Sequence, residues 1–263
     1  MRNKEKISFV IPCYNSASTI KNVFDEIKAA MAHTAYDYEI IAVNDYSNDD
    51  TWQVIKDYSN KDCHVIGICL AKNFGQHAAL LAGYRRCSGE IIVSLDDDGQ
   101  TPGNEVVKLI DEIHSGHDVV YATYEHKKHS FLRNLGTKIN NKMCVSLLGK
   151  PKKLMITSYF AARKFVINKV TDYSNPFPYV PGLVLRASNN LSSVPVNHRE
   201  RLAGSSNYSF RKLLSLWING FTAFSVKPLR ISSGIGFCLS AISFIYLIFI
   251  VINKIVNSDV PMG

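Results

Sequence analysis

The sequence lacks the motifs of a disulfide-stabilised or zinc-binding domain. Its six cysteines contain no CxxC pair, and its eight histidines show no HExxH or zinc-knuckle spacing. The cysteines are therefore interpreted as reduced thiols in a cytosolic compartment. The apolar run after the charged start MRNKEK is only a few residues long, too short for the core of a signal peptide. Export by a cleaved signal is not expected.

Acidic residues are the minority among the charged ones. The chain has 30 lysines and arginines against 22 aspartates and glutamates, a net charge of +8. This excess favours an anionic partner, such as lipid headgroups, a nucleotide or a lipid phosphate, and charge alone does not choose among them. The 263 residues, 46% of them hydrophobic, suit one globular domain of about 200 to 250 residues plus an appendage. No internal repeat or low-complexity tract is present.

One long run without charge stands near the C-terminal end, from Ile231 to Ile252. Its 22 residues, at about 1.5 Å rise each, span a hydrocarbon core of roughly 30 Å. A buried core helix is the alternative, but core helices rarely stay apolar on every face for this length. The run therefore predicts a transmembrane helix. Four basic residues precede it and one closely follows it: Arg211, Lys212, Lys227 and Arg230 against Lys254. This bias predicts that the preceding domain faces the cytoplasm from the inner membrane.

Strand and helix patterns alternate through the first 123 residues. Strands are predicted at Lys6–Pro12, Tyr38–Val43, Val65–Leu70, Glu90–Leu95 and Asp118–Thr123. Helices are predicted at Ser18–Ala32, from about Asp50, at Gln76–Tyr84 and at Gly103–Ser115. Such alternation predicts an α/β fold with a mostly parallel central sheet and helices on both faces. The stretch from Tyr124 to Tyr208 is less regular, with helices predicted at Phe131–Leu148 and Arg163–Tyr173.

The segment from Ser209 to Arg230 has apolar residues at helical spacing beside Arg211 and Lys212. The apolar set is Phe210, Leu213, Leu214, Trp217, Ile218 and Phe221. A helix of this kind is predicted to lie in the membrane interface. A core helix of the globular domain is the alternative.

Polar residues follow three of the predicted strands. They are PCYN at 12–15, NDYS at 44–47 and DDDGQ at 96–100. In an open parallel sheet, ligands bind beyond the carboxyl ends of the strands, so these segments are candidates for a binding site.

The three consecutive carboxylates at 96–98 repel one another, and such a cluster is stable mainly when it is solvated or neutralised by a cation. In an extended segment Asp96 and Asp98 point to the same side, so both could hold one Mg²⁺ or Mn²⁺ ion together with a diphosphate. An acidic turn without a ligand is the alternative.

These motifs, in this order and spacing, resemble family 2 glycosyltransferases of the polyprenyl-phosphate type, which include dolichyl-phosphate mannose synthases and bacterial undecaprenyl-phosphate sugar transferases. The matching phrases are IPCYN, the second strand end with its aspartate, LAKNFGQHAALLAGY and SLDDDGQTP. Farther on, the residues His198, Arg199, Arg201, Gly204, Ser206 and Tyr208 match a family loop of the form R..R..G.S.Y, and FS.KPLR precedes the span. The resemblance covers essentially the whole chain.

The resemblance implies a GT-A (nucleotide-diphospho-sugar transferase) fold. It also implies transfer of a hexose-type sugar from a nucleotide-diphosphate sugar to a polyprenyl (undecaprenyl) phosphate, with inversion and with Mg²⁺ or Mn²⁺ as cofactor. The expected partners are the nucleotide-sugar donor, the lipid phosphate and the membrane. Nucleic acid is not expected, and a homo-oligomer is left open.

The resemblance also implies roles for individual residues. The donor would be bound by Pro12, Tyr14, Asn15, Asp45, Lys72, Asp96 and Asp97, and the metal by Asp96 and Asp98. The catalytic set would be Asp98, Gln100 and Arg201, and the phosphate of the acceptor would meet Arg133, Arg199, Arg201 and Ser206. Arginine suits phosphate because its planar fork binds two oxygens, although each arginine could equally be a solvated surface charge. Lys72, Asn73 and Gln76 precede or open a helix whose N-terminus attracts anions, and for Asn73 a simple N-cap role is the alternative.

Two departures from the family pattern matter. The second strand end carries Asn44-Asp45 where relatives usually have two aspartates, so Asp45 is the only carboxylate there for the base or ribose. The phrase SYFAAR at 158–163 lacks the acidic residue that relatives offer as a catalytic base. A phosphate monoester has a second pKa of about 6, so its oxygen is mostly ionised at neutral pH. Such an acceptor does not strictly require a catalytic base. The missing carboxylate therefore favours a lipid phosphate as acceptor.

Three other functions are relevant to a chain with these motifs. An enzyme of the same fold could transfer sugar to a hydroxyl of a lipid-linked glycan, with Asp98 as the base, and a catalytically silent membrane scaffold could retain the fold. A dinucleotide-dependent oxidoreductase is disfavoured because no GxGxxG follows the first strand.

The expected organisation is a cytoplasmic catalytic domain at 1–208, with a nucleotide-sugar half at 1–123 and an acceptor half at 124–208. A juxtamembrane segment at 209–230, the transmembrane helix at 231–252 and a tail at 253–263 follow. Relatives of this type usually continue into a second membrane helix. Because 11 residues follow Ile252, and as a helix they reach only about 16 Å, the chain is expected to be truncated before a second span.

Overall fold

The structure of the chain, a computed structural model, describes residues 4–124, 145, 150–152, 154–197 and 227–257. The strands in this part of the chain are β1 Lys6–Cys13, β2 Asp37–Asn44, β3 Val65–Cys69, β4 Ile91–Ser94, β5 Val119–Thr123, β6 Phe160–Arg163 and β7 Leu191–Pro195. The helices are α1 Ile20–Ala32, α2 Thr51–Ser59, α3 Gln76–Tyr84, α4 Val106–His114, α5 Lys164–Thr171, α6 Val180–Ala187 and α7 Lys227–Val256.

The strands form one sheet in the order β3-β2-β1-β4-β6-β5-β7. Strand β6 is antiparallel to both of its neighbours, whereas the other pairs are parallel. The register places Cys13 opposite Asn44 and Val10 opposite Ser94, so β1, β2 and β4 end at the same edge of the sheet. Because β6 runs the other way, its first residue, Phe160, pairs with Ser94, and the chain just before β6 reaches that edge too. The predicted mostly parallel α/β sheet is confirmed.

Helices cover both faces of the sheet, as two hydrophobic clusters show. On one face, Phe9 and Ile11 of β1 belong to a cluster with Phe24 of α1 and Leu109 of α4. On the other face, Val10 belongs to a cluster with side chains of α3, α5 and α6: Leu80, Val166 and Val184. The alternation along β1 is the period of two that a strand buried on both faces produces.

The helices and strands agree well with the sequence up to β5. Each predicted strand of this part lies within one or two residues of the observed bounds, and α3 has the predicted bounds. The helix predicted at Gly103–Ser115 begins as a short 3₁₀ turn, Gly103–Glu105, before α4. The helix predicted at Phe131–Leu148 lies outside the described residues, apart from position 145.

Three elements were not predicted: β6, α6 and β7. The four residues of β6, FAAR, are too few and too small to show a strand pattern. Helix α6 carries a proline and a glycine, VPGLVLRA, although proline in a first turn is tolerated because its missing N–H has no partner there in any case. Strand β7 lies at the edge of the sheet and ends in a proline, which edge strands accommodate.

Helix α7 is long and apolar enough to cross a membrane over Leu229–Val256, and none of the apolar window is buried in the protein. It fits the single transmembrane helix that the sequence predicts. It begins at Lys227 and so includes four residues that the prediction assigned to the interface segment. The rest of that segment, 209–226, lies outside the described residues.

A buried carboxylate, Glu39, joins β1, β2 and the turn before β4. It is 4% exposed and accepts hydrogen bonds from the Ser8 hydroxyl at 2.6 Å and from the Ser88 N–H at 2.6 Å. The Ser88 hydroxyl also donates to it at 2.9 Å, and the Lys6 ammonium lies 3.0 Å from Oε2. Burial by itself raises the pKa of Glu39, but these donors outweigh burial and lower the pKa to about 2. The carboxylate is therefore charged and fully bonded within the fold.

Candidate active site

The first two predicted segments, PCYN and NDYS, are joined by backbone and side-chain hydrogen bonds. The Asn15 N–H donates to the Ser47 hydroxyl at 3.0 Å, and the Asn48 N–H donates to Asn15 Oδ1 at 3.0 Å. Pro12 is buried within β1, whereas Tyr14 is partly exposed and Asn15 is exposed. Tyr14 and Asn15 can therefore meet a ligand, and Pro12 shapes the strand end that carries them.

The third segment, DDDGQ, is tied to the first by Asp97. The Tyr14 N–H donates to Asp97 Oδ2 at 3.0 Å, and the Thr19 hydroxyl donates to the Asp97 carbonyl at 2.7 Å. Burial raises the pKa of the Asp97 carboxyl to about 6, and the neighbouring charges of Asp96 and Asp98 add to this, while the bond from Tyr14 opposes it. Asp97 thus faces the β1 end and holds the Tyr14 backbone.

Asp96 lies where α3 and the chain before β6 meet the end of β4. The Gln76 amide donates to Asp96 Oδ1 at 3.0 Å, and the Ser158 hydroxyl donates to Oδ2. Sequence reasoning did not connect Ser158 with Asp96, because the contact requires the reversed direction of β6. Asp98 closes the turn through its Oδ1, which accepts the Gln100 N–H at 3.0 Å.

The extended geometry assumed for the carboxylates was wrong. Strand β4 ends at Ser94, and Asp97 and Asp98 lie in a turn. The turn forms because Asp97 points inward to the Tyr14 N–H and the Gln100 N–H folds back on Asp98. Strand alternation therefore does not explain how Asp96 and Asp98 could share a metal ion.

The side chains of Asp96 and Asp98 still suit a magnesium or manganese ion. Asp96 and Asp98 are partly exposed, and the charges of both raise the pKa of the Tyr124 phenol, which burial raises first. Both carboxylates therefore lie near the end of β5. Mg²⁺ is usually held by one or two carboxylates together with substrate phosphates, which matches two carboxylates at an open edge. Within the described part of the chain, the one trio of possible metal-binding groups within 4.8 Å of one another is Asp62, Cys63 and His64, in the loop before β3.

Asp45 holds the turn that begins α3. It is 3% exposed, and its two carboxylate oxygens accept the N–H groups of Phe74 at 2.7 Å and of Gly75 at 2.8 Å. Burial raises the pKa of Asp45, and the two backbone bonds partly offset this. The anion at this helix N-terminus is thus a carboxylate of the chain itself. Asn73 does not cap α3, since its amide donates to the Asp45 carbonyl at 3.2 Å and Gly75 is the N-cap residue.

The two departures from the family pattern have structural partners. The Asn44 amide donates to the Cys69 sulfur at 3.3 Å, so it links β2 to β3. In the phrase SYFAAR, the Tyr159 hydroxyl donates to the Pro102 carbonyl at 3.2 Å, and the Arg163 guanidinium donates to the Ile113 carbonyl at 2.7 Å. Apart from Ser158, this phrase supplies packing and backbone bonds.

The remaining predicted residues divide into two groups. Lys72 is exposed, and its ammonium lies 4.9 Å from the centre of the Phe74 ring. The predicted acceptor residues Arg133, Arg199, Arg201 and Ser206 all lie outside the described residues.

His77 is a half-buried titratable group that sequence reasoning missed. Its ring meets Tyr179 edge-to-face, with centroids 5.3 Å apart, and its buried Nδ1 has no hydrogen-bond partner among the described residues. Burial lowers the pKa of His77 to about 4 from the ordinary value of 6.5. The only sequence signal was its place beside Gln76 at the start of α3.

Replacing His77 with phenylalanine is expected to reduce the acid sensitivity of the fold. Below pH 6.5 the unfolded chain binds a proton that the folded protein binds only near pH 4, so this residue lowers the free energy of unfolding as the pH falls through that window. The full effect is on the order of 3 kcal/mol. Urea unfolding at pH 7 and pH 4.5 measures it, with exposed His33→Phe as control. Equal losses of stability in wild type and H77F would contradict the prediction.

The fold and the site together define the class of protein. Polar segments converge at the carboxyl edge of the mostly parallel sheet, where α/β folds bind ligands, and two partly exposed carboxylates lie there. The fold is GT-A-like. The family profile of Glycosyl transferase family 2 matches residues 8–171, and the chain belongs to that family.

Two similar proteins are undecaprenyl-phosphate 4-deoxy-4-formamido-L-arabinose transferases. The one from Pseudomonas fluorescens (strain SBW25) is 29% identical over 254 residues, covering 95% of this chain and 73% of that protein. The one from Proteus mirabilis (strain HI4320) is 28% identical over 252 residues, covering 95% and 77%. The resemblance to polyprenyl-phosphate-type members of the family is confirmed.

Solved structures show the same fold. Glucosyl-3-phosphoglycerate synthase from Mycobacterium tuberculosis, in complex with Mn²⁺ and uridine-diphosphate-glucose, has a TM-score of 0.61 at 17% identity, covering 81% of this chain and 75% of that one. Another structure of that synthase has a TM-score of 0.62 at 17% identity, covering 84% and 81%. At this identity the likeness concerns the fold.

Proposed function

We propose that the chain transfers a sugar from a nucleotide-diphosphate sugar to undecaprenyl phosphate at the cytoplasmic face of the inner membrane. The observation that carries the proposal is the position of Asp96, bonded at once to Gln76 of α3 and to Ser158 before β6. The Asp96 carboxylate, with Asp98 close by in sequence, therefore lies between α3 and the chain that leads into the antiparallel strand β6. The names of the relatives supply the acceptor.

The donor half of the site comprises Tyr14, Asn15, Lys72, Asp97 and the two metal-binding carboxylates. Tyr14 and Asn15 are open to a ligand at the β1 end, and Asp97 holds the Tyr14 backbone in place. Asp45, bound to Phe74 and Gly75, acts on the donor through the loop that it fixes. Lys72 lies exposed on that loop, where it suits a phosphate.

The proposed cofactor is Mg²⁺ or Mn²⁺, held by Asp96 and Asp98. A bound ion would stabilise the negative charge that develops on the departing diphosphate. The Mn²⁺ in the Mycobacterium tuberculosis synthase supports this choice. The amide of Gln76 fixes one oxygen of Asp96 and the Ser158 hydroxyl the other, so the carboxylate is oriented before a donor arrives.

The acceptor half is proposed to use Arg133, Arg199, Arg201 and Ser206, and Gln100 and Arg201 complete the catalytic set with Asp98. An ionised phosphate oxygen of the lipid would attack the anomeric carbon, and the bond from that carbon to the diphosphate oxygen would break. Attack from the opposite side inverts the anomeric configuration. The segment around Ser158 supplies no carboxylate base, and an acceptor that is already ionised requires none.

The proposed membrane arrangement has a catalytic domain at 1–208, an interface segment after it and one spanning helix. Two features support it: the apolar helix α7 with its exposed side chains and the excess of basic residues on its N-terminal side. A lipid phosphate acceptor would then lie at the same face as the site.

Purified full-length chain in vesicles containing undecaprenyl phosphate is expected to form a glycosylated lipid, detected by mass spectrometry of the extract. The donor panel should hold UDP-glucose and GDP-mannose, as hexose donors, and nucleotide-linked forms of 4-deoxy-4-formamido-L-arabinose, the sugar in the relatives' names. Vesicles without the lipid phosphate are the control. Transfer only when a lipid-linked glycan replaces the lipid phosphate in the vesicles would favour the hydroxyl acceptor, and no donor turnover with any sugar would favour a silent scaffold.

A further inference from the structure

Tyr46 has an unfavourable backbone conformation and an exposed ring. It follows the buried Asp45 and has a φ of 57°, in the left-handed region that residues with a Cβ atom rarely adopt. Its side chain is 52% exposed, so packing inside the protein does not explain why a large aromatic residue occupies this position. Strained residues of this kind cluster at ligand sites, where the surrounding structure holds them.

Phe74 is the second exposed aromatic residue at this edge, and it is 53% exposed. Its N–H is bonded to Asp45 Oδ1 at 2.7 Å, so the residue before Tyr46 also holds Phe74. The Lys72 ammonium lies 4.9 Å from the centre of the Phe74 ring. Tyr46 and Phe74, the aromatic pair, thus both adjoin the buried Asp45, one through the chain and the other through a hydrogen bond, with the Lys72 ammonium beside Phe74.

The aromatic pair belongs to the donor half of the candidate site. Tyr46 follows β2, which pairs with β1, and Phe74 follows β3, the next strand along, which pairs with β2. Ser47, directly after Tyr46, accepts the Asn15 N–H at 3.0 Å, so the Tyr46 loop is fixed against the β1 end that carries Tyr14 and Asn15. A ligand bound beside the Tyr46 loop would contact the aromatic rings of Tyr46 and Phe74, with the Lys72 ammonium nearby.

We propose that Tyr46 and Phe74 stack on the nucleobase of the donor and that the strained conformation of Tyr46 serves this contact. The proposal rests on the proposed function, in which the donor is a nucleotide-diphosphate sugar. A nucleobase has the flat aromatic face that such side chains bind, and the adjoining diphosphate is the anion that Lys72 suits. Stacking is tolerant of sequence, because every base has such a face, so the pair sets donor affinity more than base choice.

The test uses the full-length chain in detergent with Mg²⁺, and the probes are UDP, GDP, ADP, CDP and inorganic pyrophosphate, measured by calorimetry. Tyr46→Gly and Phe74→Ala are each expected to weaken binding of the tightest nucleoside diphosphate by roughly tenfold. Binding of pyrophosphate, which has no base, should stay unchanged. Tyr46→Phe keeps the ring and should bind the nucleotide like the wild type.

Thermal unfolding separates this contact from a structural role. Glycine adopts a φ of 57° without strain, so Tyr46→Gly should match or exceed the melting temperature of the wild type while it loses nucleotide affinity. A purely structural tyrosine would lose both together.

Unchanged nucleotide affinity in both Y46G and F74A would overturn the stacking proposal while the proposed function stands. If the KM for undecaprenyl phosphate rose in the same variants, the aromatic pair would be assigned to the lipid. Failure of the wild type to bind any nucleoside diphosphate would instead contradict the proposed function and the stacking proposal with it.

Discussion

Replacing Asp98 with asparagine is expected to lower the turnover of the full-length chain by about two orders of magnitude. The substitution removes a negative charge but keeps Oδ1, the atom that accepts the Gln100 N–H at 3.0 Å. The turn should therefore persist while the pair of carboxylates proposed to hold the metal loses one charge. Turnover at saturating donor and lipid, measured as glycosylated lipid formed per minute, gives the effect.

The matched control is Asp37→Asn, at the start of β2 and exposed at the opposite edge of the sheet. It makes the same chemical change away from the site and should leave turnover unchanged. Excess chelator should stop the wild type, and added Mg²⁺ or Mn²⁺ should restore it. Near-normal turnover in D98N, or full activity of the wild type in chelator, would refute the assignment of Asp98 to a metal.

Replacing Glu39 with glutamine is expected to lower the free energy of unfolding by about 3 kcal/mol at neutral pH. The carboxylate is 4% exposed, and Ser8, Ser88 and Lys6 all donate to it or pair with it. Glutamine keeps one oxygen acceptor but turns an amide toward donors that then lose their partner. Urea unfolding of the full-length chain in detergent measures the change, and exposed Glu90→Gln is the control.

The effect of E39Q should depend on pH in a direction fixed by the lowered pKa of Glu39. The folded protein keeps this group ionised down to about pH 2, whereas the unfolded chain protonates it near 4.5. Its stabilisation is fully present above 4.5 and is lost as the pH falls toward 2. The difference between wild type and E39Q should therefore narrow from pH 5 to pH 3. A constant difference would indicate that the lost hydrogen bonds, without the charge, account for the destabilisation.

Local patterns in the sequence predict the fold of the first 123 residues well. Strands β1 and β2 each contain an unbroken apolar run, as expected of strands that helices cover on both faces, and α3 lies between clear boundaries. The positions of PCYN, NDYS and DDDGQ at one edge follow from the parallel sheet alone. These features depend on the residue and its near neighbours, which a single sequence shows.

The features that were missed depend on partners far away in the chain. Asp97 turns inward because of the Tyr14 N–H, which is 83 positions away. Ser158 reaches Asp96 only because β6 runs antiparallel. Asp45 stays a predicted donor residue, and its bonds to the turn before α3, which depend on how that turn folds, were not predicted. The exposure of Tyr46 likewise depends on the burial of the preceding residue, Asp45, which a single sequence does not show.

The position of β6 between β4 and β5 also determines the order in which the strands can pair during synthesis. The described sheet gives β5 two neighbours, β6 and β7, and both come later in the chain. During synthesis, the 36 residues at 124–159 are therefore added after β5 is complete and before the first residue of β6. Strands β1 to β4 can pair as they emerge from the ribosome. The apolar strand β5, VVYAT, instead keeps both of its hydrogen-bonding edges unpaired until β6, a strand of only four residues, has been made.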